Sequence, residues 1–216
     1  MGLFIARDEI CFRWIAMVTK PEPSCAAFLQ AGGKSSRMGE NKAFVEFEGV
    51  TLLARALQTL RQACDDVVIV GDPEIYGPYG RVVSDVFPAC GPLGGIHAAL
   101  SQTSAELNLM LAVDMPFASA ALMRFLFRTA GESNALVIVP RTSRGLQPLC
   151  GVYRPAFAAI AETAIRAGNY KIDAAFAGIP IEIVGAAELR AAGFSEREFF
   201  NVNTPDDRRR AADLIV

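Results

Sequence analysis

Histidine is almost missing from this chain: His97 stands alone among 216 residues. One imidazole cannot complete a zinc set of the usual kind, and the five cysteines, Cys11, Cys25, Cys64, Cys90 and Cys150, supply no C-x-x-C pair. Odd in number and scattered, they read as small buried hydrophobes of a reduced, cytoplasmic protein. A Ser-His-Asp or Cys-His catalytic set is equally lacking. Net charge is close to zero: 21 Lys and Arg against 23 Asp and Glu leave −2. That balance argues against a nucleic-acid footprint, so any polyanion bound here is small. Long apolar runs are also wanting. The opening MGLFIARDEICFRWIAMV is interrupted by Arg7, Asp8, Glu9 and Arg13, which excludes a signal-peptide core and a membrane span. Residues 1–24 are expected to be an N-terminal extension outside the domain, and Met17 is an equally natural start.

What is present is the rhythm of one α/β domain over residues 25–216, without repeats or a low-complexity linker. Apolar runs of strand length recur at CAAFLQ (25–30), DDVVIVG (65–71), RVVSD (81–85), LNLMLAVD (107–114), NALVIVP (134–140) and IPIEIVG (179–185). Helical periodicity separates most of them, as in βαβ units around a mostly parallel sheet. Leu53, Leu57, Leu60 and Cys64 form one stripe of a helix over 51–64. Ser119 caps a helix over 119–131. A helix over 154–168 is expected to carry Pro155 at its first position and to stop at Gly168. Thr204, Pro205, Asp206 and Asp207 open the last helix. GDPEIYGPYG (71–80) reads as a Gly/Pro-rich loop.

Chemistry concentrates at strand ends. After CAAFLQ comes AGGKSSRMGENK (31–42), in which glycines let backbone N–H groups approach phosphate oxygens. Adjacent glycines and the missing G-K-[ST] ending exclude both the dinucleotide fingerprint and the Walker loop. Lys34, Arg37 and Lys42 add positive charge, and Ser35 and Ser36 add neutral donors, a set matched to a triphosphate. AVDMPF (112–117) ends a strand on Asp114, where a carboxylate faces the crevice of an open sheet and suits a magnesium ion; a loop or capping role is the plainer alternative. SDVFPACGPLGGIHAAL (84–100) offers Asp85, Gly91, Gly94 and Gly95 ahead of a helix N-terminus. His97, inside that helix, reads as structural. In NVNTPDD (201–207), Asn201 and Asn203 face one side of an extended segment, although turn chemistry alone would also explain them. In RGLQPLCGVYRP (144–155), Arg144, Gln147 and Tyr153 are polar contacts on an apolar strand, with Gln147 facing a pocket.

In this order, LQAGGKSSRMGENKA, CGPLGGI, AVDMPF, LQPLCGVY and NVNTPDD resemble the molybdenum cofactor guanylyltransferase family, over roughly residues 25 to 212. The resemblance implies a single three-layer, Rossmann-like nucleotidyltransferase domain. It also implies transfer of GMP from GTP to molybdopterin-bound molybdenum, with Mg2+ as cofactor. By the same match, Gln30, Ala31, Gly32, Gly33, Lys34, Arg37 and Lys42 lie where the family holds the nucleotide. Gly91 and Gly95 lie in its second nucleotide loop, Asp85 matches a nucleotide-site aspartate, and Asp114 matches the magnesium-binding aspartate. Gln147, Asn201 and Asn203 fall on the pterin side, and Lys42, Arg37 and Asp114 carry catalysis. The implied partners are GTP, the molybdopterin cofactor and, in passing contact, cofactor-delivery proteins or molybdoenzymes; no nucleic acid and no membrane is among them. Two positions depart from the family pattern: Gln30 replaces the usual leucine, and Asn41 stands where an aspartate is common. A cytidylyl- or sugar-phosphate nucleotidyltransferase, or an inactive nucleotide-binding module, remain the alternatives.

Overall fold

The computed structural model describes residues 22–32 and 41–214. Strand β1 (Cys25–Gln30) is followed, after residues 33–40, by a 3-10 turn at Lys42–Phe44 and a hairpin of β2 (Glu46–Phe47) and β3 (Val50–Thr51). Next come α1 (Leu52–Arg61), β4 (Val67–Val70), α2 (Pro73–Tyr76), β5 (Val82–Val83), α3 (Gly91–Ser101), β6 (Leu107–Ala112) and α4 (Ala120–Glu132). The rest is β7 (Val137–Thr142), β8 (Gly145–Leu146), β9 (Cys150–Tyr153), α5 (Phe157–Arg166), α6 (Ile172–Ala175), β10 (Ile181–Val184), α7 (Ala186–Ala191) and α8 (Pro205–Asp213).

The main sheet runs β10-β7-β9-β6-β1-β4-β5, with β8 paired to β7. β1 is parallel to β4 and β6, β4 to β5, and β7 to β10. Only β9, along this path, is antiparallel to its neighbours. Too few residues separate β7 from β9 for a crossover, so β9 must return beside β7 in the opposite sense. The mostly parallel α/β sheet expected from the sequence is therefore what forms.

Both faces are covered, which makes three layers. Ala27 and Leu29 of β1 pack toward Leu53, Leu57 and Leu60 of α1 and Leu122, Met123 and Leu126 of α4. Ala26 and Phe28 turn to the opposite face, against Leu93 and Ile96 of α3 and Phe157, Ala161 and Ile165 of α5. A strand buried on both sides reads as a continuous apolar run. The α1 stripe begins where Thr51 accepts a hydrogen bond from the Ala54 N–H at 3.2 Å. Burying each of its leucines contributes about 1.5–3 kcal/mol. No helix among the described residues is long and apolar enough to cross a membrane.

Helix ends follow the sequence with two corrections. Ser119 caps α4 through the Leu122 N–H, Thr204 and Asp207 form a capping box on α8, and Gly168 takes the left-handed conformation just past α5. Pro155, however, precedes the helix: α5 starts at Phe157, and Pro155 lies in a turn closed by the Phe157 N–H on Arg154 O. Arg154 is held there by its own N–H on Leu136 O and by its guanidinium on Ala130, Ser133 and Ala135 carbonyls. The second correction is residues 71–80, which hold α2 and a 3-10 turn at Gly77–Tyr79. Asp72 accepts from the Glu74 N–H and Pro73 fills the first helical position, a start signal hidden among glycines and prolines.

Cys64, Cys90 and Cys150 are buried as free thiols, and burial pushes the half-buried Cys25 up to about 11. Cys11 lies outside the described residues. Glu198 accepts from the Ser119 hydroxyl, yet burial still raises its carboxyl above the ordinary value against that bond. A raised folded value means that ionising Glu198 costs the fold. Its favourable contribution is complete below the unfolded value of about 4.3 and is lost as pH rises through the raised folded value. Glu198→Gln keeps the acceptor and removes the charge. In thermal melts from pH 4 to 7 the variant is expected to gain on the wild type as pH rises; a gap independent of pH would refute this.

Candidate active site

The strand order reverses at β1. From β1 the chain proceeds outward to β4 and β5, then returns to lay β6 on the other side of β1. α1 and α3 consequently cover opposite faces, and a crevice opens outside the carboxyl ends of β1 and β6, where open α/β sheets bind ligands. Gln30 ends β1, Asp85 follows β5, Asp114 follows β6 and Gly91 opens α3, so these sequence-derived site residues lie at strand ends or a helix start.

Beyond Gln30, the Ala31 and Gly32 N–H groups both bond to Val70 O at 3.1 Å. The Gly32 amide is thus taken up by the sheet. Gly32 lies against Gly71, with only 3.5 Å from the place of its missing Cβ to the Gly71 Cα. Gly33, Lys34 and Arg37 lie outside the described residues. The chain re-enters at Asn41, whose Oδ1 accepts from the Ala43 N–H at 3.1 Å and caps the turn that presents Lys42.

Lys42 Nζ pairs with the Asp114 carboxylate and donates to Asn203 Oδ1 at 2.5 Å. The lysine and aspartate side chains are 19% and 15% exposed, sheltered enough for charge to matter. Asp114 is placed by two backbone bonds: the Val113 N–H reaches Gln30 O at 3.1 Å, and the Val202 N–H reaches Asp114 O at 2.9 Å. The second bond docks the NVN segment onto the strand-end turn. The Asp114 Oδ1 atom is buried and has no hydrogen-bond partner among the described residues, and Asn201 Oδ1 shares that state. Asn203, expected on the pterin side, comes to the lysine.

Asp85 lies just after β5, its Oδ1 accepting from the Phe87 N–H at 2.9 Å. One side is open to solvent, but the mass of protein against the other raises its carboxyl above the ordinary range; the Phe87 N–H and the nearby His97 partly offset this. The need for Gly94 follows from geometry. A Cβ there would fall 2.9 Å from both Asp85 oxygens and 3.1 Å from Phe87 O. Gly94→Ala is expected to displace the Asp85 turn and to cost about 1–3 kcal/mol, read from denaturant midpoints. Unchanged stability would show that the turn yields freely. Gly95 faces Gln30 instead: the buried Gln30 carboxamide lies 3.0 Å from that missing Cβ and donates from Nε2 to Pro92 O at 3.3 Å. Gly91, in the left-handed region, opens α3 with free space around it.

Gln147 turns to its own hairpin, donating from Nε2 to Thr142 Oγ1 at 3.0 Å and Gly145 O at 3.3 Å. Tyr153 is fully buried and donates to Pro148 O at 2.7 Å, while Arg144 stacks over Phe200. His97 is buried beside Ser101, Glu162 and the Phe87 ring, the structural role read from its sequence setting. Tyr76 went unmarked in the sequence, though its phenol meets both Ala31 and Asn41. The Asp-Pro helix start ahead of it was the available signal.

A lysine–aspartate pair thus lies at the switch point of a doubly wound sheet, after a glycine- and cation-rich stretch of sequence. The chain matches the MobA-like NTP transferase domain over residues 27–182. It is 37% identical over 183 residues to a probable molybdenum cofactor guanylyltransferase of Pelotomaculum thermopropionicum, covering 84% of this chain and 88% of the relative. Identity to the molybdenum cofactor guanylyltransferase of Desulfosudis oleivorans is 33%, over 86% of this chain and 93% of that protein. Among solved structures, molybdopterin-guanine dinucleotide biosynthesis protein A from Archaeoglobus fulgidus superposes with a TM-score of 0.79 at 26% identity, over 88% of this chain and 98% of that one. The chain belongs to the MobA-like NTP transferase family.

Proposed function

We propose that the protein, with residues 25–216 as the working unit, transfers GMP from GTP to molybdopterin carrying molybdenum, giving molybdopterin guanine dinucleotide and pyrophosphate. The observation that carries this reading is the meeting of Lys42, Asp114 and Asn203 at the switch point. The printed names of the relatives favour guanine and the pterin acceptor. A cytoplasmic setting accords with the free cysteines.

The acceptor is a phosphate monoester, whose second pKa of about 6 leaves it ionised near neutrality. Its oxygen attacks the α-phosphorus of GTP; that P–O bond forms as the bond to the bridging α–β oxygen breaks, and pyrophosphate leaves with the electron pair. No side chain has to remove a proton, in keeping with a chain poor in histidine. Lys42 stabilises negative charge at the α-phosphate, and Lys34 and Arg37 hold the leaving β and γ groups. Gln30, Ala31, Gly32, Asp85, Gly91 and Gly95 belong to the nucleotide side, joined by Gly33 from outside the described residues; Asn201 belongs to the pterin side, which Gln147 would reach only by leaving its hairpin bonds.

Among the described residues no three acidic, histidine or cysteine side chains gather as a metal cage. A magnesium ion nevertheless fits Asp114, whose buried Oδ1 is unpartnered, because this ion binds through one or two carboxylates together with substrate phosphates. Held there, it supplies charge neutralisation on phosphate oxygens. The test is pyrophosphate release by the full chain with molybdopterin cofactor, magnesium and each of GTP, CTP, ATP and UTP. Release with GTP is expected. Release with CTP but not GTP would overturn the base assignment, and none with any nucleotide would overturn the enzyme.

A further inference from the structure

The 71–80 segment, which the transfer reaction leaves unused, carries a buried polar link beside the Lys42 turn. Tyr76, at the end of α2, is 3% exposed. Its ring lies 2.7 Å from where a Gly71 Cβ would be, so the glycine beside Gly32 is also what admits the tyrosine. Phe44, at the end of the Lys42 turn, stacks on the same ring with centroids 6.0 Å apart. The phenol has one hydrogen, and Ala31 O, at 2.8 Å, is its nearest acceptor. The phenol oxygen then accepts from Asn41 Nδ2 at 3.0 Å, while Asn41 Oδ1 takes the Ala43 N–H. Asn41 Oδ1 also lies 3.1 Å from the phenol oxygen, but the single phenolic hydrogen goes to the nearer Ala31 O, which leaves Nδ2 as the Asn41 group that bonds the phenol. Ala31 directly follows β1, and Asn41 directly precedes Lys42.

We propose that Tyr76 is a positioning residue for nucleotidyl transfer: its phenol ties Ala31 to Asn41 and so fixes where Lys42 stands relative to the start of the phosphate-binding loop. This rests on the proposed transfer reaction. Asn41 is part of the device, since an aspartate in its place could accept a hydrogen bond from the phenol but could not donate one to it. The position that departs from the family pattern is therefore matched to a partner in this chain. Burial raises the phenol's pKa, which keeps it a donor throughout the neutral range.

Tyr76→Phe keeps the ring and removes the link. With GTP, magnesium and molybdopterin cofactor, the variant is expected to lose about tenfold in kcat with little change in the KM for GTP, because the lysine acts on charge that develops in the transition state. In a Lys42→Ala background the same change should have no further effect on kcat. A wild-type kcat in Tyr76→Phe, or an equal loss with and without Lys42, would overturn the proposal and reduce the tyrosine to packing. Hydrogen exchange without substrate supplies an arm independent of activity. Exchange is expected to quicken at residues 31–32 and 41–45 while the β6 core stays protected; unchanged exchange there overturns the proposal. A wild type inactive with every nucleotide would instead count against the transfer reaction, leaving the exchange result to decide the role of Tyr76.

Discussion

Asp114→Asn is expected to reduce GMP transfer by about 10³-fold or more while leaving the fold in place. Asparagine has nearly the same shape and keeps a carbonyl oxygen, but it cannot bring a negative charge to a metal ion or to Lys42. The turn itself is held by main-chain bonds, from Val113 to Gln30 and from Val202 to Asp114, and these do not involve the side chain. Circular dichroism and the melting temperature should therefore change little, since a partly exposed ion pair contributes about 1 kcal/mol or less. Pyrophosphate release at saturating GTP and magnesium is the measurement. Wild-type turnover in a folded variant would remove Asp114 from the site.

Lys42→Ala is expected to lower kcat by about 10²-fold and to move the KM for GTP much less. The lysine is sheltered and bonded to two side chains, Asp114 and Asn203, so it is a placed charge and differs from a freely solvated one. A placed charge matched to the transition state registers in kcat, whereas a mere attractor of triphosphate registers in KM. A raised KM with kcat unchanged would assign it the second role, and no change in either would remove it from the site. Combining this change with Asp114→Asn should cost less than the two losses multiplied, because the residues touch and share a task. A fully multiplicative double variant would mean that they act separately.

Much of this layout was legible in the sequence. β1 coincides with its apolar run, CAAFLQ; Asp114 was recognisable because a strand run gives way there to a proline turn, and Lys42 because it closes the glycine- and cation-rich stretch that follows β1. Side-chain demands made by distant residues were not legible. Gly94 makes room for the carboxylate of Asp85, and Gly95 for the carboxamide of Gln30. The reversal of β9 is a property of the assembled sheet, visible beforehand only as a short connection. The bond from Lys42 to Asn203 joins positions 161 residues apart, and local patterning holds no trace of such a pairing. Tyr76 was missed for a plainer reason, because the glycines and prolines around it suggested a loop when Asp72 and Pro73 were starting a helix.

The docking of Val202 on Asp114 ties the cluster to the interior of the protein. Val202 is buried and belongs, with Phe199 and Phe200, to the same apolar core as the leucines of α1 and α4. What seats this segment in the core also delivers Asn203 to the lysine, so a substitution that loosened the seat of Val202 would reach the charged pair without touching it.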